Sequence, residues 1–260
     1  MSASGNGLGR SPFDLTGRHA LVTGGGGVIG AELARGLADA GAVVGVQDLT
    51  LERAEAPGLP FAFAADVSDP AACRSLIDRV AREMGGIDIL VNCVGTNRRK
   101  PIDDVTPEDF DAIVAVNMRA VYFLCQAVHE TMRSRGGGSI VNISSMSARY
   151  IYRTISVYAA TKAAVTSMTR SFAHEWSADG IRVNCIEPAV VRTEFTRPLW
   201  QEEHRQRFFD ELTPLGRLME PAETLGAVLY LASDASSYVT GQAITIDGGI
   251  TTGANWDQFA

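Results

Sequence analysis

Two hydrophobic rhythms alternate along this 260-residue chain, and no other feature of it restricts the fold as tightly. Short apolar runs rich in β-branched residues are followed by stretches where apolar residues return every three or four positions. The short runs predict strands at 19–24, 43–46, 61–65, 87–92, 139–143, 181–186 and 243–246. The longer stretches predict helices: one carries Ile29, Leu33 and Leu37 and stops at Gly41, one is opened by Pro70 and runs to Met84, and others span about 107–133 and 154–178. Repeated strand–helix–strand units with apolar strands predict a doubly wound α/β fold, a seven-stranded parallel sheet with helices on both faces. No linker interrupts it, so residues 13–250 read as one domain, with an N-terminal arm at 1–12 and a C-terminal tail at 251–260. An insertion at about 197–220, carrying Trp200, Phe208 and Phe209 among charges, reads as a helical lid.

Charge narrows the partners. With 23 basic and 30 acidic residues the net charge is −7, and the one basic cluster is Arg98-Arg99-Lys100. That balance argues against nucleic acid as a partner. No apolar stretch approaches the roughly 20 residues of a membrane span, and Met1 to Arg10 has no apolar signal core. Cys73, Cys93, Cys125 and Cys185 lack CxxC spacing, so they read as reduced thiols of a cytoplasmic protein, with no metal site.

Where the first strand turns into a helix the chain reads Thr23-Gly-Gly-Gly-Gly-Val-Ile-Gly30, with a G-x-G-x-x-G match at Gly25, Gly27 and Gly30. Glycines there allow a tight turn and close approach of backbone to a pyrophosphate, which meets the helix N-terminus. Asp48 ends the second strand 18 residues later, where a carboxylate accepts from ribose hydroxyls and repels an additional phosphate. No Arg or Lys lies between Thr23 and Glu32. These residues point to NAD as cofactor.

A second constellation lies further on. Tyr158 and Lys162 are four residues apart on one face of a predicted helix. A free tyrosine titrates near pH ~10, and a fixed positive charge brings its phenolate toward working pH. Ser145 lies 13 residues before Tyr158, just past the fifth strand, at the carboxyl ends where parallel sheets bind ligands. Asn117 is a poor helix former among Ala, Val and Met, which suits an internal hydrogen bond or a local kink.

Together these residues resemble the single-domain short-chain dehydrogenase/reductase family, over roughly residues 13–250. The family's T-G-x-x-x-G-x-G turn matches Thr23, Gly24 and Gly30, and its catalytic Asn, Ser, Tyr and Lys match Asn117, Ser145, Tyr158 and Lys162. Its adenine-side Asp-Val matches Asp66-Val67, its nicotinamide-side segment matches Pro188, Val191 and Thr193, and Asp247-Gly-Gly249 resembles its last strand. The resemblance implies a Rossmann-type fold, a homotetramer, and reversible hydride transfer between NAD(H) and an alcohol or ketone carbon. It implies a cofactor site of Gly24, Gly27, Ile29, Gly30, Asp48, Asp66, Val67, Asn92, Gly95, Tyr158, Lys162, Val191 and Thr193. Three departures stand out: Val28 replaces the turn's middle glycine, Asn92-Cys-Val-Gly95 replaces N-N-A-G, and Pro188-Ala189 replaces P-G.

For the substrate, segments at 97–101, 193–199 and 213–217 resemble gluconate 5-dehydrogenases and related sugar-acid or polyol enzymes. Arg98, with Arg99 and Lys100 beside it, is a candidate for a substrate carboxylate, as are Arg149 and Arg153. Glu187, expected at the pocket beside Pro188, would instead favour a polyhydroxylated substrate. Two alternatives remain open: an NADPH-dependent carbonyl or 3-ketoacyl reductase, and a non-catalytic dinucleotide-binding regulator.

Overall fold

Each of the seven apolar runs becomes a strand of one parallel sheet. The structure, a computed structural model, describes residues 11–253. In chain order the strands are β1 (His19–Thr23), β2 (Val43–Asp48), β3 (Phe61–Ala64), β4 (Ile89–Asn92), β5 (Gly138–Ile143), β6 (Ile181–Pro188) and β7 (Ala243–Ile246). Their spatial order is β3-β2-β1-β4-β5-β6-β7. The winding direction reverses between β1 and β4, and a crevice opens there at the carboxyl ends of the strands. This is the doubly wound Rossmann-type architecture.

Side chains alternate across the strands, so each sheet face has its own core. Leu21, Leu90, Ile140 and Val183 pack with α3 (Pro70–Met84), α5 (Ala120–Ser134) and α6 (Ser156–Trp176). Val22, Val91, Val141 and Ile186 face the other way, toward α1 (Val28–Asp39) and α8 (Leu225–Ala232). The remaining helices are α2 (Leu51–Glu55), α4 (Pro107–Val114) and α7 (Glu203–Leu212). Residues α8 buries, Val228 and Leu231 among them, belong to a segment apolar all round, so helical periodicity does not reveal it.

Helix starts follow from local chemistry. Asp69 accepts from the Ala71 N–H at 3.0 Å ahead of α3, with Pro70 as first helical residue. Thr106 and Asp109 form a reciprocal capping box on α4. Between α4 and α5, Ala115–Arg119 makes one π-helical turn, and Asn117 lies inside it, completely buried. The long predicted helix is therefore one run with a bulge at Asn117. By length and composition alone this run, Pro107–Ser134, is long and apolar enough to cross a membrane, contrary to the sequence expectation. In the fold its Leu124, Cys125, Val128 and Met132 lie in the core beneath the sheet.

The insertion after β6 is helical. It comprises a 3-10 segment at Glu194–Leu199 and then α7, with a small core of its own from Val190, Phe209 and Leu218. Outside the main sheet, Val191 pairs in parallel with Met219, joining the ends of the excursion. The domain edges extend slightly past the expected ones. The Pro12 carbonyl accepts from the Ala235 N–H at 3.1 Å, and the Thr251 N–H donates to Asp247 at 2.8 Å. Residues 1–10 of the arm and 254–260 of the tail lie outside the described residues.

Candidate active site

A cleft of about 860 Å³ runs along the carboxyl ends of β1, β2, β4, β5 and β6. At one end it is made largely of backbone. Gly24 has φ +65°, and a Cβ there would lie 2.9 Å from backbone atoms of Val94, so the turn and the loop after β4 touch through glycine. A Cβ on Gly30 would lie 2.4 Å from the Gly24 carbonyl oxygen. Helix α1 starts at this turn without a side-chain cap. Its first N–H groups therefore have no partner within the helix and face the cleft, as a pyrophosphate requires. Gly24, Gly27, Ile29 and Gly30 line the cleft, and Val28, 46% exposed, lines it too. The side chain replacing the middle glycine is thus accommodated outward.

Asp48 ends β2 at the cleft, buried, as its position in the sequence predicts. Its carboxylate already accepts from the Gly26 N–H at 3.0 Å, the Leu49 N–H at 2.8 Å and Arg53 Nε at 2.7 Å. Arg53 comes from α2, lines the cleft itself and is raised in pKa by the hydrogen bond to Asp48. A cation therefore does stand at this corner, although none lies between Thr23 and Glu32. Asp66, Val67, Gly95, Val191 and Thr193 also line the cleft. Asn92 does not. Its amide turns into the sheet, donating to Asn142 Oδ1 at 2.8 Å, because it stands inside β4 between two paired strands.

At the other end four side chains gather from three elements. Lys162 Nζ donates to the Ile143 carbonyl at 2.7 Å and lies 5.7 Å from the Tyr158 ring centroid. Burial lowers the Lys162 pKa to about 8. Burial also raises the Tyr158 pKa, while a hydrogen bond with Ser145 and the charge of Arg99 pull it back down. Asn117 is locked to the loop after β4: its Oδ1 accepts from the Thr96 N–H at 2.8 Å, and its Nδ2 donates to the Thr96 carbonyl at 2.9 Å. Gly95 lies between the two groups, its direction of side-chain growth 3.8 Å from Lys162 Nζ and 3.9 Å from Asn117 Oδ1. Such a set can hold a substrate oxygen and exchange a proton with it at the tyrosine.

The basic residues sort by their partners. Arg98 lines the cleft but is engaged by Asp109 at 3.0 Å, and Lys100 meets the same carboxylate at 2.5 Å. These two hydrogen bonds, Lys100 first, hold Asp109 well below the usual carboxylate range. Arg99 between them is partly buried, so burial lowers its pKa, and the charge it faces is that of Tyr158. Arg153 is exposed on the loop before α6 and does not line the cleft. Glu187 and Arg149 also depart from expectation. Glu187 is completely buried, its carboxylate 2.9 Å from Arg149 Nε, so neither faces the cleft. Strand alternation turns Glu187 away from the side its neighbour Pro188 lines.

The comparisons with known proteins agree with this geometry. The family profile described as enoyl-(acyl carrier protein) reductase, adh_short_C2, matches residues 26–251. The chain is 39% identical over 247 residues to D-threitol dehydrogenase of Mycolicibacterium smegmatis, covering 92% of this chain and 95% of that one. It is 40% identical over 247 residues to gluconate 5-dehydrogenase of Gluconobacter oxydans, covering 92% and 96%. This chain is a short-chain dehydrogenase/reductase. Among solved structures, a gluconate 5-dehydrogenase from Burkholderia cenocepacia in complex with NADP and tartrate superposes with TM-score 0.89 at 39% identity, covering 94% of this chain and 98% of that one.

Two residues of this short-chain dehydrogenase/reductase were not singled out in the sequence. Arg53 lies outside the glycine turn, and the signal for it is its place five residues past Asp48 at the next helix. Arg99 was named only alongside Arg98 and Lys100. Its distinction depends on Asp109, ten residues away, taking both neighbours.

Proposed function

We propose that the chain catalyses reversible hydride transfer between a nicotinamide dinucleotide, with NAD preferred, and the secondary alcohol carbon of a sugar, polyol or sugar acid. The observation that carries this reading is the convergence of Ser145, Tyr158 and Lys162 in one cleft with the uncapped N-terminus of α1. Gly24, Gly27, Ile29, Gly30, Asp48, Asp66, Val67, Gly95, Val191 and Thr193 would hold the dinucleotide, which supplies the hydride acceptor when bound. In the oxidative direction the Tyr158 phenolate takes the hydroxyl proton. Lys162 stabilises that phenolate and holds the nicotinamide ribose. Ser145 orients the substrate oxygen and donates to it as charge develops. Asn117 helps hold a water through which protons leave by way of Lys162.

Arg99, beside Tyr158 and without a carboxylate partner among the described ion pairs, supports a sugar-acid substrate. The names of the relatives, a threitol and a gluconate dehydrogenase, support the polyhydroxylated class. Asp48 supports NAD. Arg53 favours a second reading, in which the guanidinium leaves Asp48 and meets the additional phosphate of NADP, the cofactor of the Burkholderia structure. A homotetramer in the cytoplasm, with neither nucleic acid nor membrane as partner, completes the proposal. The test is absorbance of reduced cofactor over polyols and aldonates, with NAD and with NADP, in the wild type and Arg99→Met. The variant is expected to raise KM for aldonates about ten- to hundredfold while leaving neutral polyols within about twofold. No turnover of any hydroxylated compound with either cofactor would overturn the reading, and equal losses for both classes would remove the carboxylate role of Arg99.

A further inference from the structure

Glu187 has no exposed surface, yet it carries a carboxylate with three side-chain partners. Its Oε1 accepts from Thr166 Oγ1 at 2.9 Å, and its Oε2 accepts from Thr245 Oγ1 at 3.0 Å and Arg149 Nε at 2.9 Å. Only the carboxylate is buried, since Arg149 is 54% exposed, and burying a charge costs desolvation that a half-solvated partner only partly offsets, so stability alone is a poor account of this arrangement. What the carboxylate joins is more informative.

One arm reaches α6. Thr166 lies one helical turn beyond Lys162, and its hydroxyl also meets Ser144 Oγ at 2.9 Å. Ser144 Oγ in turn reaches the Lys162 carbonyl at 2.9 Å. Thr166 and Ser144 have one hydroxyl proton each: the carboxylate, the strongest acceptor, takes that of Thr166, and Ser144 shares its own between Thr166 and the Lys162 carbonyl. The other arm reaches the turn that carries Ser145. That turn is closed by the Ser147 N–H donating to Ser145 Oγ at 3.1 Å and by the Arg149 N–H donating to the Met146 carbonyl at 2.9 Å. Arg149 is its last residue.

We propose that Glu187 is a positioning residue: through Arg149 it holds the Ser145 turn, through Thr166 it holds the Tyr158–Lys162 helix, and so it sets the separation between them. The inference rests on the reading that Ser145, Tyr158 and Lys162 carry the hydride-transfer chemistry. Thr245, on β7, anchors the carboxylate to the sheet, so both arms move relative to a fixed point.

The test uses the full chain and four variants: Glu187→Ala, Thr166→Val, Arg149→Met, and the neutral pair Glu187→Gln with Arg149→Met. Glu187→Ala is expected to lower kcat about ten- to hundredfold, with KM for the alcohol and the Kd of NADH each within about threefold. Thr166→Val and Arg149→Met cut one arm each and should lose less. Should Glu187→Ala fail to fold, they carry the test. The neutral pair leaves no charge unpaired but still lacks the Arg149 arm, so its kcat should fall to about that of Arg149→Met alone, and wild-type kcat in it would overturn the role of that arm. A readout independent of turnover is the ultraviolet titration of Tyr158, taken as the difference from Tyr158→Phe. The groups facing that phenol are Ser145, Arg99, Lys162 and Cys93. Loss of the Ser145 contact in Glu187→Ala should move the titration upward. Unchanged kcat and an unchanged titration in folded variants would overturn the proposal, as would a fall in NADH affinity that parallels kcat. A titration that moves in a protein with no alcohol turnover would leave the positioning role standing and overturn the functional reading instead.

Discussion

At the nucleotide end of the cleft, Gly24, Gly30 and the start of α1 present backbone, and the shape follows from some dozen consecutive residues. Around the substrate end stand charged side chains that belong to the loop after β4, the Ser145 turn, β6 and α4. There, which cation is left without a carboxylate is decided by which carboxylates have claimed the others. Asp109 takes Arg98 and Lys100, Glu187 takes Arg149, and Arg99 is left beside Tyr158. A backbone site tolerates little change in shape, whereas a side-chain site can be retuned by exchanging partners.

The largest effect that would sharpen this contrast is chemical. Tyr158→Phe is expected to lower turnover about a thousandfold while NADH binds within about threefold of the wild type, measured by steady-state rates and fluorescence titration. Near-normal turnover would remove Tyr158 from the reaction. At the backbone end, Gly30→Ala should do the reverse. The new Cβ meets the Gly24 carbonyl, so the turn must move, with about 1–3 kcal/mol lost in urea unfolding and NADH affinity lost with it. A variant that keeps both would mean the turn is softer than its contacts imply. The smallest effect concerns acid. The hydrogen bond from Arg217 holds the Glu223 carboxyl, at the edge of the lid, down at about 2. A depressed carboxyl contributes stability above its unfolded value and loses it as pH falls toward 2. Because the pair is largely exposed, the difference between wild type and Glu223→Gln should stay below about 1 kcal/mol at pH 7 and shrink below pH ~4. A difference that grows with acid would reverse the assignment.

What could be read from the sequence divides along the same line. The strand order of events, the glycine turn, Asp48 at the end of β2, and the Ser145, Tyr158 and Lys162 set all rest on local pattern, and each stands where that pattern put it. Asn117 even combined both suggestions, an internal hydrogen bond and a bulge in its helix. Misreadings arose where a residue's direction or partner is set at long range. Glu187 was assigned to the pocket through its neighbour Pro188, although a strand sends neighbours to opposite faces. Arg149 pairs with a residue 38 positions away, and Asn92 pairs with Asn142, 50 positions away. Periodicity carries no information about such pairings. Helix α8 is hidden for a different reason, since a segment apolar on every side has no polar face to mark its period.

The short parallel contact between Val191 and Met219 has a consequence for how such a chain can diversify. It stitches the excursion shut at its base, so the polypeptide leaves the sheet and returns at one doorway. Beyond Thr193, which lines the cleft, the excursion is the more replaceable stretch: doubling its length costs only about 0.6 kcal/mol of closure entropy, while β6 and β7 pair outside it. Tyr158 and Lys162, the proposed catalytic pair, stand on the fixed side of the stitch, while Phe195, whose ring lies 6.5 Å from that of Tyr158, stands on the replaceable side. On the proposed reading, the reacting groups and much of the substrate contact are thereby written on separate stretches of the chain.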